Sequence, residues 1–173
     1  MTPVEQLAES YRGRTLALAE ATAAAVKVMW ERSAEAEPER FAALAGALTA
    51  SANVRAVRLA DRYAQDALTL ALRRPVLTEA ADVALYARPR LIAESYLSIV
   101  RDDGAVARIA RVARSEPLAA GHARMDNHAR RGRWVRVTSP GACRICSPRS
   151  GETIDPSVGV SLHTSCTCTT SPA

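Results

Sequence analysis

Pro38–Pro75 reads PERFAALAGALTASANVRAVRLADRYAQDALTLALRRP. Pro38 suits the first position of a helix, and the stretch behind it is built largely of alanine and leucine, which favour helix. The Arg-Arg-Pro end stops it at Pro75, because the residue before a proline avoids helical backbone. Phe41, Leu44, Leu48, Leu59, Tyr63 and Leu70 recur at helical spacing and are read as its buried stripe. A single helix of this length sets the class as mainly α.

Working back towards the N-terminus, the AEAEPER segment breaks the chain before Pro38, and another helix precedes it. Thr2 caps that helix, Pro3 takes the first helical position and Glu5 follows three residues after the cap, the pattern of a capping box. Val4, Leu7, Tyr11, Leu18, Val26, Met29 and Trp30 carry its apolar face to about Glu31. Working forward, Thr78 is read as the cap of a third helix, interrupted or restarted at Pro89 and stopped by Arg-Asp-Asp-Gly. A last helical stretch follows, with Glu116-Pro117 as a break inside it. The expected helices are about 3–31, 38–73, 78–102 and 105–131, an elongated helical hairpin or bundle over residues 1–131.

Composition agrees. Apolar residues make up 48% of the 173, but aromatics only 4%. Much of the apolar share is alanine, which buries little area, so the helical body should have a thin core. No run of about 18 apolar residues exists, so no membrane span is expected. The MTPVEQLAES start lacks the basic and apolar regions of a secretory signal. An intracellular setting is therefore the expectation, and persistent disulfides are not.

The formal charge is +5, and of the 23 basic residues all but Lys27 are arginine. A GC-rich coding bias produces such a skew, and so does a need for guanidinium forks on phosphates or carboxylates. Between Gly104 and Arg149 ten arginines face only Glu116 and Asp126, so the excess belongs to the second half. Arg108, Arg111 and Arg114 fall broadly on one side of a helix, and Arg130, Arg131 and Arg133 follow. This stripe is read either as a solvated face or as a contact to a partner or nucleic acid. Without interleaved aromatics, any DNA contact would go to phosphates and be salt-sensitive.

After residue 131 the period changes. Trp134, Val135 and Val137 alternate with arginines and run into Ser-Pro-Gly, which reads as a strand and turn. Residues 132–173 hold few other large apolar side chains, too few to fold by burial alone, and small modules of this kind need a staple. All four cysteines lie here. Cys143-x2-Cys146 followed by His163-x2-Cys166-x-Cys168 has the spacing of a two-knuckle zinc site. Cys143, Cys146, His163 and Cys166 are the preferred set to close a tetrahedron around a structural Zn2+, because His-x2-Cys repeats the two-residue gap, with Cys168 as the alternative to Cys166. A disulfide or redox pair and unrelated thiols are the competing readings; the surrounding βαβ pattern of thioredoxin-like chemistry is missing. The whole chain is thus expected to be a helical body followed by a small α+β zinc-stapled C-terminal module.

RWVRVTSPGACRIC, then Ser-Gly, then HTSCTC resembles the end of the phage Mu F-like minor head proteins. EPLAAGHARMDNHARRG resembles the linker helices of members from actinophages. The resemblance runs from about Glu116 to Cys168; before that only helicity agrees. It implies a virion protein in the capsid interior or at the portal vertex, present in host cytoplasm during assembly. It also implies a role in head morphogenesis, with portal or major capsid protein as partners, packaged DNA as a phosphate contact, and zinc on Cys143, Cys146, His163 and Cys166 or Cys168.

Two other classes compete with a structural protein. A zinc-containing nucleic-acid-binding regulator fits the basic strand beside a knuckle, but no long recognition helix lies between the knuckles. An enzyme is not expected: His122, Asp126 and His128 lie without an attending motif and are read as polar surface residues, and neither Ser139 nor Ser150 sits in a nucleophile turn.

Overall fold

The computed structural model describes residues 2–33, 36–100, 102, 104–138, 142, 144–159 and 168–173. The chain is mainly helical. Helix α1 spans Pro3–Ser33, α2 Pro38–Leu72, α3 Ala84–Ala87, α4 Pro89–Ile99 and α5 Ala105–Ala129. Strands β1, Trp134–Val137, and β2, Thr169–Pro172, pair antiparallel at the C-terminal end. No helix is long and apolar enough to cross a membrane among the described residues.

The capping box at the start of α1 forms in both directions. Glu5 N–H donates to Thr2 Oγ1 at 3.2 Å, and Thr2 N–H donates to Glu5 Oε2 at 2.6 Å. These bonds occupy donors that the first helical turn would otherwise leave without a partner. They also hold the Glu5 carboxyl below its usual range.

Helices α1, α2 and α5 pack on one another as a three-helix bundle, and α4 lies along α2. The seam differs from the expected stripe. Phe41 and Tyr63 are buried, but Leu44 is 51% exposed and Leu70 44% exposed. Their place is taken by Ala42, Ala45, Ala56, Ala60, Ala64 and Ala67, all buried. Methyl side chains let helix axes approach closely, so the larger leucines stand beside the contact. Gly46 shows how close the approach is. A Cβ there would lie 2.9 Å from the Pro89 carbonyl oxygen and 2.9 Å from Ala93 Cβ.

Two further expectations are corrected. Residues 75–82 are not helical, so Thr78 caps nothing; the chain makes only the short α3 before Arg88 breaks it with φ 44°. Arg88 precedes Pro89, whose ring disfavours right-handed helical backbone at the residue before it. Pro117, read as a break, lies buried inside a continuous α5. It costs that helix one backbone hydrogen bond, and the packing of its flanks on α1 and α2 holds it straight through.

The core has two main parts. One gathers Val26, Phe41, Ile92, Tyr96 and Ile109, with Trp30 set edge-on to Phe41 at 5.5 Å. The other gathers Tyr11, Tyr63 and Met125 from the helices with Trp134 and Ile154 from beyond them. Trp134, 1% exposed, therefore belongs to the core of the helical body.

Candidate functional site

The C-terminal segment is assembled around β1. On one edge β2 pairs with it in the register Trp134↔Pro172 to Val137↔Thr169. On the other, residues 151–154 return alongside: Arg136 N–H donates to the Glu152 carbonyl at 2.9 Å and Ile154 N–H to the Trp134 carbonyl at 2.8 Å. The turn before that return is a 3-10 turn at Ser147–Arg149. This arrangement brings Cys146 and Cys168 together with Ala142 in one small cluster, the two cysteines 1% and 3% exposed.

Thus two of the five expected zinc ligands, one from each half of the motif, share a buried cluster. Cys143, His163 and Cys166 lie outside the described residues. Among the described residues no group of three or more His, Cys, Asp or Glu side chains is gathered. The donor chemistry that is described suits zinc: two thiols, withdrawn from water, brought from separate parts of the chain. Cys143 and Cys166 stand three and two residues along the sequence from them. If bound, the metal would supply a structural tie between the two halves of the tail.

The tail is also held to the helices by polar contacts. Arg130, at the end of α5, donates to the carbonyls of Ser157 at 3.2 Å and Val158 at 3.0 Å, and pairs with Asp126 at 2.8 Å. Gly159 sits under this guanidinium with φ +76°, and a Cβ there would collide with Asp126 and Arg130. Only glycine meets both demands at low cost. Asp155 Oδ1 accepts from Ser157 N–H at 2.8 Å and Ser157 Oγ at 2.7 Å, which holds its carboxyl below the usual range and shapes the same turn.

The predicted arginine stripe is largely engaged within the chain. Arg108 pairs with Asp102 at 3.0 Å and Arg114 with Glu20 on α1 at 2.5 Å. Arg131 pairs with Glu79, while Arg111 and Arg133 are exposed. Four of the six therefore tie α5 to neighbouring parts of the chain.

No protein-family model, curated protein or solved structure matches this chain. What it does is therefore argued from its own residues.

A buried polar network was not anticipated. His128, read as a surface residue, is 8% exposed and its Nε2 lies 2.9 Å from Asp61 Oδ1. The same oxygen accepts from Arg124 Nε at 2.5 Å, and Arg124 also donates to the Glu79 carbonyl. Burial pushes the His128 pKa down, with Asp61 opposing and Arg124 assisting. His128 and Arg124 are four residues apart on α5 and so share a face; Asp61 meets them from α2. His128 turns to Asp61 while Asp126 turns to Arg130. Burial of a histidine against a partner 67 residues away leaves little local signal; the four-residue Arg124–His128 spacing is its one trace in the sequence.

Proposed function

We propose that this chain is a structural minor capsid protein of a tailed phage, of the Mu F-like kind. It associates with portal or capsid and acts in head morphogenesis and in DNA packaging or ejection. A structural zinc site in the tail completes it, held by Cys143, Cys146, His163 and one of Cys166 and Cys168. The observation that carries this reading is the joint burial of Cys146 and Cys168, within a motif order resembling that family from Glu116 to Cys168. The role is non-catalytic. The helical body presents surfaces to partners, and the tail is a stapled unit folded back on it through Trp134 and Arg130.

Zinc bound by four protein ligands would leave no position for a reacting water. Its binding would act as folding free energy, on the order of 10–16 kcal/mol in small zinc modules.

Quantitative mass spectrometry of purified particles of the source phage tests the function. A low, fixed copy number relative to portal protein is the expected result. Absence from particles, together with sequence-selective binding to a short duplex by the free chain, would replace this reading with that of a zinc-containing regulator.

A further inference from the structure

A furrow runs along the crease between α1 and α2, and none of its lining residues belongs to α5. At one end Arg14, Arg55, Arg58 and Arg62 surround a hollow of about 490 Å³. Its floor is apolar, made by Ala17, Leu18 and Leu59. A narrow neck beside Leu7 and Asp66 joins it to a second hollow of about 480 Å³, which ends at Leu70. From Arg55 to Leu70 the furrow follows α2 for about 22 Å, roughly four helical turns.

Its charge is unbalanced. Arg62 reaches Asp66 only at 3.9 Å, and among the described residues Arg14, Arg55 and Arg58 make no ion pair. Arg114 on α5 and Arg130 and Arg131 just after it differ, each paired with a carboxylate within the chain. Arg55, Arg58 and Arg62 stand at i, i+3 and i+7 on one face of α2, beside the apolar floor.

We infer that this furrow is a docking site for an amphipathic helix of a partner protein, one whose apolar stripe is flanked by acidic residues along the half that meets the arginines. The apolar floor supplies the helix-in-groove contact, and the guanidiniums fix its direction and select for acid. A second copy of this chain is a poor occupant: in a two-fold pairing the arginines of one furrow meet the other furrow, whose lining holds Asp66 as its acid. Duplex DNA would use the arginines but not the leucine floor or the second hollow. This inference is independent of the zinc site and of the virion reading.

The test uses the full chain and labelled helical peptides of about 16 residues, long enough to fill the furrow at 1.5 Å per residue. One carries a leucine stripe flanked by glutamates, a second the same stripe flanked by glutamines, and a duplex DNA is the third probe. Fluorescence anisotropy should show binding of the glutamate peptide, weakened about tenfold or more by the double variant Arg55→Glu/Arg58→Glu. Ala17→Glu, on the exposed floor, should weaken it too. Arg111→Glu/Arg133→Glu should leave it unchanged, and the glutamine peptide should bind more weakly. No binding of the glutamate peptide, or equal loss in both double variants, overturns the proposal. DNA binding that the peptide cannot compete, and that Arg55→Glu/Arg58→Glu abolishes, overturns it in favour of a nucleic-acid surface. Dimerisation of the chain sensitive to the same variant overturns it in favour of a self-interface.

Discussion

Tyr63 on α2 donates its hydroxyl to the backbone carbonyl of Thr170 on β2 at 2.5 Å. Its ring stacks on Tyr11 of α1 at 4.9 Å, with planes 12° apart. The last strand of the chain is thereby tied to its two longest helices through one side chain. Burial raises the pKa of both phenols, so Tyr63 stays a neutral donor across the ordinary pH range.

Tyr63→Phe keeps the stack and removes only the donor. It should cost about 1–3 kcal/mol, the range for leaving a buried partner short of one hydrogen bond. Hydrogen exchange should speed up at residues 169–171 before it does in α2. Uniform change across the bundle would mean that the Tyr63 hydroxyl does not anchor the strand.

Asp61 is the common acceptor of Arg124 and His128. Asp61→Asn leaves the Arg124 guanidinium, 7% exposed, without its counter-charge. Removing one partner from a buried pair typically costs about 3–5 kcal/mol, and urea unfolding should show a loss of that order. A change as small as that of an exposed ion pair would demote the network to a surface contact.

The same network sets a pH dependence. Burial lowers the folded-state pKa of His128 below its unfolded value of 6.5. As pH falls past that value the unfolded chain takes up a proton that the folded chain does not, so stability drops. The contribution is complete above the unfolded pKa and is lost on the acid side, down to the folded pKa. His128→Gln should flatten this part of the stability–pH curve; an unchanged slope would show that His128 is not its source.

Two helical glycines make opposite predictions from the same substitution. Gly13 on α1 has open space where a Cβ would go, so Gly13→Ala should stabilise by about 0.5–1 kcal/mol. Gly46 meets Pro89 and Ala93, so Gly46→Ala should overpack the α2–α4 contact and cost about 1–3 kcal/mol. Thermal unfolding of the pair decides whether α4 is seated as described.

The openings of the two long N-terminal helices are legible in the sequence. Thr2 and Glu5 form the capping box that their spacing announces, and Pro38 opens α2. Seam and burial were not legible, for a physical reason. The stripe rule weights large apolar residues, but in this bundle close helix approach selects alanine, so Leu44 and Leu70 stand outside while Ala60 and Ala64 lie inside. Pro117 broke the local pattern without breaking the helix, because tertiary packing outweighs one lost hydrogen bond. The cysteine spacing reads as a four-ligand zinc site; of its candidates Cys146 and Cys168 share one buried cluster, and Cys143, His163 and Cys166 lie outside the described residues. Nothing in the sequence marks Arg14 and Arg55 as neighbours, because the furrow exists only where two helices meet.

Cys146→Ser and Cys168→Ser separate a zinc staple from two packed thiols. For a staple, loss of Cys146 should release the tail to protease while helical circular dichroism stays largely intact. If Cys166 is the fourth ligand instead of Cys168, Cys168→Ser should be the milder change, since it then alters only packing. Equal, small effects of both would leave the thiols as ordinary core residues.

The most direct measurement is the zinc content of the purified full chain, by native mass spectrometry alongside elemental analysis. A zinc-stapled tail requires one zinc per chain, retained through gel filtration and lost in Cys146→Ser, with Trp134 becoming exposed on chelation. A metal-free chain whose tail resists protease equally with and without chelator would contradict it.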